Sequence, residues 1–183
     1  DQPDTGNRTI SWVVNDGVDD SAALVTSIIT VTPVNDAPTL TSFAAVVDTT
    51  PEDTEVEITF TELTAQGNED DIDGTVVAFR VDSVNSGTLK IGTSAGTATA
   101  WAAGTNDTIN STLNAYWTPD ANVFGTENAF SVVAVDNDGA ESTTAPVTAQ
   151  VEVTDVNDVP TLTSFAGVVD TTPEDTEVEI TFT

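Results

Sequence analysis

The stretch TPVNDAPTLTSF at residues 32–43 returns almost unchanged as TDVNDVPTLTSF at residues 154–165. The two copies lie 122 residues apart, and at this offset residues 33–61 and 155–183 differ at three of 29 positions. Similarity at one fixed spacing is the sequence signature of tandem repeat architectures. The repetition therefore decides the organisation of the chain before any single strand is considered.

The repeat predicts one complete unit, residues 38–159, because 122 residues are enough for a single domain with its own core. Residues 1–37 are then the C-terminal strands of a preceding unit together with a linker. Residues 160–183 are the N-terminal strands of a following unit. The chain is thus interpreted as a window on a longer array, with neighbouring repeats as the partners of the complete unit.

The composition is strongly acidic, with 31 Asp and Glu against three Lys and Arg and a formal net charge of −28. Nucleic acids and anionic membranes are recognised by Lys and Arg, so neither is expected as a partner. The chain has no Cys and no His, which removes disulfides and thiolate metal sites. Such a charge also predicts strong self-repulsion in the folded state unless cations lie among the carboxylates.

Hydrophobic residues alternate with a period of two, which is typical of half-buried strands. In VTAQVEVT, residues 147–154, Val and Ala occupy one face and polar residues the other. No segment shows a helical period with caps, and Gly, Asn, Asp and Pro separate the alternating stretches. The pattern predicts seven strands, A to G, at residues 39–47, 55–61, 75–81, 87–92, 108–117, 128–135 and 147–154.

Seven short strands in a unit of this size predict an all-β fold, an antiparallel Ig-like (cadherin-like) β-sandwich repeated in tandem. In that topology the chain enters at one end and leaves at the other. The B–C loop at 68–74 and the F–G loop at 136–142 are expected at the entry end. The A–B loop at 49–55 and the E–F loop at 118–127 are expected at the exit end.

Acidic and Asn side chains are concentrated in these loops and in the linker on each side of the unit. Clusters of hard oxygen ligands are what Ca²⁺ takes, and without a cation such carboxylates would repel one another. The sequence therefore predicts calcium at both junctions, where it would restrict the linkers. The predicted ligands are Asn35, Asp36, Asp71, Asp73, Asp136 and Asp138 at the entry end, and Glu52, Asp53, Asp120, Asp155, Asn157 and Asp158 at the exit end.

Several of these motifs resemble those of cadherin repeats. DVNDVP at 155–160 is similar to the Asp-x-Asn-Asp linker, PEDTE at 51–55 and 173–177 to the acidic motif near the domain start, and DIDG at 71–74 to the Asp-x-Asp motif. The span 116–160 resembles the cadherin-like tandem repeats of giant bacterial surface proteins, including the extender regions of type I-secreted (RTX-type) adhesins.

The resemblance implies an extracellular spacer on a bacterial cell surface, a calcium-stiffened rod that projects an adhesive domain for cell adhesion or biofilm formation. Two departures from the family pattern are visible. Pro33 stands in the first linker where Asp155 stands in the second, so the two junctions cannot be ligated identically. The Asp-Arg-Glu motif is also missing from the E–F region, where Asp120 and Glu127 are the acidic candidates.

Two alternatives to the spacer stay open at this point. The half units at the ends could add strands to like molecules, which would make the protein a self-assembling extracellular filament or surface-layer subunit. Trp101, Tyr116 and Trp117 could instead form a stacking surface in a glycan- or protein-binding module. An enzyme is not expected, because the chain has no His or Cys, its Ser and Thr lack a base, and the carboxylates are explained by solvation and cation binding.

Overall fold

The computed structural model describes residues 4–165 and 167–181, and its regular structure is nearly all β with a single short helix. The chain is therefore an all-β protein, as predicted. In chain order the elements are β1 Arg8–Trp12, β2 Val25–Ile29, β3 Asp48–Pro51, β4 Val56–Ile58, α1 Phe60–Gln66, β5 Val76–Val84, β6 Thr88–Gly92, β7 Thr99–Ala100, β8 Thr108–Asn110, β9 Asn114–Thr118, β10 Gly125–Asp136 and β11 Val147–Thr154.

Residues 38–159 form two sheets that share one core. One sheet has the strand order β3-β11-β10-β5-β8, and the other has the order β4-β9-β6-β7. Both sheets contribute fully buried side chains to a single hydrophobic cluster, with Phe79 and Phe130 from the first and Ile58 and Trp117 from the second. In β9 and β11, alternate residues face this cluster, which accounts for the period of two in the sequence.

The first edge of the larger sheet differs from the prediction. Residues 39–47, predicted as strand A, make isolated bridges to the 67–70 stretch, and the regular strand β3 begins later, at Asp48. β3 runs parallel to β11, with Asp48 opposite Val151. The larger sheet is therefore mixed at this edge, whereas the sequence predicted an antiparallel sandwich.

A helix replaces the last two residues of predicted strand B and continues to Gln66, contrary to the expectation that the unit has none. Strand β4 ends at Ile58, and α1 begins after Thr59, whose hydroxyl accepts a hydrogen bond from Glu62 N at 3.2 Å. The Glu62 carboxylate accepts in return from Thr59 N at 2.7 Å. This reciprocal capping box satisfies backbone donors at the start of the helix and directs the buried Leu63 into the core.

Predicted strand E is divided between the two sheets. Its first part, β8, pairs with β5 in the larger sheet, whereas β9 pairs with β4 and β6 in the smaller one. The turn between them is closed by Asn110 Oδ1, which accepts from Thr112 N at 2.9 Å. The complete unit therefore has nine strands rather than seven, although predicted strand G coincides with β11.

The two flanking segments are separate from this core. β1 and β2 form an antiparallel two-stranded sheet of their own. Residues 161–165 and 167–181 form no regular strand, and their large hydrophobic side chains are exposed.

Candidate functional site

The first linker and two loops of the unit meet at the entry end. Asn35 Nδ2 donates a hydrogen bond to Asp136 Oδ2 at 2.8 Å, which joins the linker to the β10–β11 loop. Asp36 N lies 3.3 Å from both carboxylate oxygens of Asp73, which joins the linker to the loop before β5. The structure therefore brings together the three parts of the chain that the sequence predicted there.

Asp136 is the most constrained of the predicted ligands. It is buried, and its Oδ1 accepts from the backbone N–H groups of Asp138 at 2.9 Å and Ala140 at 2.8 Å. The hydrogen bond from Asn35 and these backbone bonds hold the pKa of Asp136 below its usual range, although burial opposes them. Asp136 therefore stays ionised and fixes the turn that follows β10.

A hollow at this end is bordered by Pro33, Asn35, Asp73 and Asp138. Two carboxylates and one amide side chain thus face the same open space beside the linker. Oxygen groups of these two kinds are the ligands that Ca²⁺ prefers. An ion in this hollow would contact the linker and both loops of the unit.

A second hollow lies on the neighbouring side of the same loop, with Glu69 and Asp71 in its lining. Asp71 Oδ1 accepts from Gly74 N at 3.1 Å, whereas Asp71 Oδ2 is buried and has no hydrogen-bond partner. Glu69 Oε2 is likewise buried without a partner, and burial raises the pKa of Glu69. Buried carboxylate oxygens without donors are costly, and a cation beside them would remove that cost.

A glycine lies directly beside each of these oxygens. A Cβ at Gly74 would lie 2.5 Å from Asp71 Oδ2 and 2.6 Å from Asn137 Oδ1. A Cβ at Gly67 would overlap with Glu69 Oε2. Sequence analysis did not identify Glu69 as a site residue, because its importance comes from burial. Gly67, two residues before it, was the sequence feature that could have indicated it.

The exit end is organised around Glu52, which is buried. Its Oε1 accepts from Val156 N at 2.6 Å, and its backbone N donates to Thr154 O at 3.0 Å. The turn after β3 is thereby joined to the start of the second linker. Glu52 is therefore a predicted ligand that the structure ties directly to the junction.

Two other predicted exit-end ligands hold loops in position. Asp53 has a φ of +57° and its Oδ1 accepts from Asn122 N at 3.3 Å. Asp120 Oδ2 accepts from Gly87 N at 3.2 Å, in the tight turn between β5 and β6. The Asp120 carboxylate is thus directed to that turn, which sequence reasoning did not anticipate.

The second linker does not gather around these groups. Asp155, Asn157 and Asp158 are exposed, and Asn157 Nδ2 donates to Asp158 O at 3.1 Å within the linker itself. The first linker, by contrast, contacts both of its neighbouring loops. The two junctions therefore differ in structure as well as at Pro33 and Asp155.

Within residues 4–165 and 167–181, no group of three or more carboxylates is close enough to hold a metal ion. The donor chemistry at the entry end nevertheless fits calcium, because Asp71 Oδ2 is an orphaned buried oxygen and Asp73 and Asp138 border one hollow. The fit at the exit end is poorer, since Asp120 is directed elsewhere and the linker carboxylates are exposed.

The basic groups of the chain do not balance its acids. Arg8 pairs with Asp4 at 2.7 Å and Lys90 with Glu55 at 2.6 Å. Arg80 Nη2 donates to Glu141 Oε2 at 2.8 Å, which raises the pKa of Arg80 and lowers that of Glu141. All three basic side chains are thus held by carboxylates, and the remaining acids have only solvent or added cations for neutralisation.

The aromatic residues that the sequence suggested as a possible stacking surface are packed into the unit. Trp117 is fully buried and its Nε1 donates to Ser86 O at 2.8 Å. Tyr116 is buried and its hydroxyl donates to Glu57 Oε1 at 2.8 Å. Trp101 packs against the core cluster. The three side chains therefore serve packing, and they do not present a shared surface to a sugar.

Comparison with known protein families gave no matching family model, and comparison with curated proteins gave no match. In the part of the chain that the structure describes, no helix has the length and apolar character needed to cross a membrane.

Proposed function

We propose that this chain is part of a spacer built from tandem repeats on a bacterial cell surface, and that Ca²⁺ at the junctions restricts the linkers between its domains. The observation that carries the proposal is the attachment of the first linker to both entry-end loops, through Asn35 to Asp136 and Asp36 to Asp73. A flexible tether would need neither contact. The repetition of the linker sequence after 122 residues is what a junction used in series requires.

We further propose that the complete unit is an Ig-like, cadherin-like sandwich. Support comes from the neighbours of each strand, with β11, β10 and β5 adjacent in one sheet and β4, β9 and β6 adjacent in the other. This division corresponds to strands G, F and C against B, E and D of Ig-like domains. In such a fold the first and last strands leave from opposite ends, which suits a domain used in series.

In this proposal calcium is held at the entry end by Asn35, Asp71, Asp73 and Asp138, with Asp136 fixing the loop and Glu69 close by. Calcium would supply positive charge that no basic side chain provides there. Glu52 would hold the corresponding linker at the exit end. The work of the domain is passive, because its surface charge keeps an extended array soluble and its linkers keep successive units apart.

The spacer role also accounts for the acidic residues without catalysis, and we propose that the chain is not an enzyme. Asp107 illustrates the point, since its carboxylate accepts from Gly104 N at 2.6 Å and closes a turn. A binding module remains the second candidate class. The main observation in its favour was the set of aromatic residues Trp101, Tyr116 and Trp117, and packing within the unit now explains these residues. An adhesive ligand would accordingly be bound by another domain of the same surface protein.

The proposal is tested by thermal unfolding of the chain in EGTA and across a Ca²⁺ titration, with small-angle scattering on the same samples. We expect the melting temperature to rise with calcium, because an ion that binds the folded state stabilises it in proportion to ligand concentration. We also expect scattering to report a longer and less variable particle, since the linker would lose its hinge freedom.

The matched variants are Asp73→Asn, which changes the entry-end hollow, and Asp48→Asn, which changes a carboxylate in strand β3 that binds its neighbour Thr49 N. The calcium-dependent rise should be lost in Asp73→Asn and kept in Asp48→Asn. Equal melting temperatures in EGTA and calcium for the unchanged chain would contradict the proposal. The acidic side chains would then serve only to keep the protein solvated.

A further inference from the structure

Three Asn-x-Thr triplets occur in the chain, at residues 7–9, 106–108 and 110–112. Such a triplet is the acceptor sequence for attachment of a sugar to the Asn side chain, provided that its middle residue is not Pro. The sugar is attached to the side-chain nitrogen Nδ2, so this atom must be reachable from solvent if the folded chain is to be modified. The surroundings of the three Asn residues therefore decide which triplet the folded protein offers.

The side chain of Asn106 is held inside the fold. Its Nδ2 donates to Thr99 O at 2.9 Å and to Ala100 O at 3.1 Å, both in strand β7. The hydroxyl of Thr108, the third residue of the triplet, donates to Asp107 Oδ1 at 3.2 Å. A sugar on Asn106 would break the hydrogen bonds to β7, so the folded unit does not offer this nitrogen.

The triplet at residues 7–9 lies before the complete unit. The counterpart of Asn7, 122 residues later, is Ala129, which is fully buried. The equivalent position of a complete repeat therefore lies in the core, and Asn7 is not a candidate.

Asn110 is the last residue of β8, and its side chain closes the turn to β9 through its oxygen. Oδ1 accepts from Thr112 N at 2.9 Å, from Thr112 Oγ1 at 2.9 Å and from Leu113 N at 3.0 Å. Nδ2 donates no hydrogen bond within the described residues and is not a buried atom. Ser111 and Thr112 beside it are exposed. The amide is thus fixed by its oxygen while its nitrogen is open to solvent.

The hydrogen bonds to Oδ1 also favour reaction at Nδ2. An amide nitrogen is a weak nucleophile, because its lone pair is shared with the carbonyl group. Donors on Oδ1 draw electron density toward the oxygen, which makes a proton on Nδ2 easier to remove as a new bond forms. The Thr112 hydroxyl is one of these donors, so the third residue of the triplet acts directly on the amide.

We propose that Asn110 is a glycosylation site of the folded unit, with a nucleotide-activated hexose as the donor and a soluble N-glycosyltransferase as the enzyme. Nδ2 forms a bond to the anomeric carbon of the hexose. The bond from this carbon to the nucleotide phosphate breaks, and the nucleoside diphosphate leaves with the electron pair. The proton lost from Nδ2 passes to a base of the transferase. The site is independent of calcium at the junctions.

A sugar at Asn110 would lie at the end of an edge strand. β8 is the outermost strand of the larger sheet and has three residues, Thr108–Asn110. Unpaired edges invite pairing with another chain, and covering them prevents this. A neutral hexose would hydrate this edge without adding to the net charge of −28.

The test uses the folded chain with Asn7→Gln, so that only the triplets at Asn106 and Asn110 remain. The chain is incubated with a soluble N-glycosyltransferase and UDP-glucose, and mass spectrometry counts and locates the added hexoses. An unstructured Asn-x-Thr peptide in the same reaction confirms that the enzyme and the donor are active. We expect one hexose per chain on Asn110 and none on Asn106.

Three variants of the same chain separate the roles of the triplet. Asn110→Gln should abolish the modification, because the accepting nitrogen is displaced. Thr112→Ala should lose most of it, whereas Thr112→Ser should retain it, because serine keeps the hydroxyl that donates to Oδ1. The melting temperature of each variant, measured before the reaction, shows that the comparison is made on folded protein.

A hexose on Asn106 of the folded chain would overturn the proposal, because reachability of Nδ2 would then not select the site. An unmodified chain beside a modified peptide would also overturn it. Equal modification of Thr112→Ala and Thr112→Ser would contradict the part assigned to the hydroxyl.

Discussion

Residues 39–59 and 161–181 have nearly the same sequence and different structures. In the first copy, β3 pairs with β11 and Ile58 is fully buried, whereas residues 161–165 and 167–181 of the second copy form no strand and Ile180 is exposed. The turn around Asp53 is nevertheless reproduced around Asp175, with the same hydrogen bond between threonine residues. Local sequence is therefore sufficient for this turn, while the strands depend on the sheet and core that receive them.

The largest expected difference between the copies is in core packing. Ile58→Ala should lower the free energy of unfolding by about 2–5 kcal/mol, because it leaves a cavity in a core that already excludes solvent. Ile180→Ala should change it by less than about 0.5 kcal/mol, as is usual for exposed positions. Urea unfolding at low protein concentration measures both variants. Similar losses in the two would mean that the second copy is packed in solution.

The next contrast concerns the buried carboxylate of the exit end. Glu52→Ala removes the acceptor of Val156 N and should cost about 1–2 kcal/mol, since a charged hydrogen bond is lost from a buried position. Glu174→Ala, at the equivalent exposed position, should have no measurable effect on unfolding. Hydrogen exchange at Val156 would give a local reading, with faster exchange expected only in Glu52→Ala.

A smaller effect is expected from the helix cap at Thr59. Thr59→Ala removes the hydroxyl that accepts from Glu62 N and should destabilise the unit by about 1 kcal/mol. Thr181→Ala, at the equivalent exposed position, serves as the control and should be neutral. Thr59→Ser should restore most of the stability, because serine caps as well as threonine; failure of that rescue would indicate that the methyl group is what matters.

The smallest expected effect tests the buried acid of the entry end. Burial raises the pKa of Glu69, so its ionised form is disfavoured in the folded state and stability falls as pH rises from the unfolded pKa through the folded pKa. In EGTA, Glu69→Gln should therefore slightly raise the melting temperature at pH 7.

This gain should disappear below about pH 4, where Glu69 of the unchanged chain is protonated in both the folded and the unfolded state. Glu177→Gln, in the exposed second copy, should leave the melting curve unchanged at every pH. A gain in Glu69→Gln that persists at low pH would have to come from packing, and the assignment of a charge penalty to Glu69 would be wrong.

Strand β11 shows how far the sequence could be interpreted correctly. Its alternation of Val with polar residues is unbroken over residues 147–154, and the strand occupies those residues because one face lies on the core and one on solvent. The loops at the entry end were also predicted to meet, because the order of strands in an antiparallel unit determines which connections share an end. These features follow from periodicity and connectivity alone.

The helix and the buried acid could not be predicted in the same way. TFTE at residues 59–62 satisfies a capping box and also continues the alternation of EVEITF, so the period alone cannot choose between helix and strand. The core makes the choice, because it receives Leu63 from a helix. Glu69 differs from other glutamates only in its surroundings, and burial is a property of the folded chain. Asp120 was assigned to the junction for a similar reason, since its partner Gly87 lies 33 residues away.

The parallel pairing of β3 with β11 determines how the unit would respond to force. Tension along an array pulls the start of β3 and the end of β11 in opposite directions along the strand axis. The hydrogen bonds between these two strands are then loaded in shear, and they must break together rather than one after another. The β3–β11 edge, where the prediction from sequence differed from the structure, is therefore the part of the domain that would resist extension.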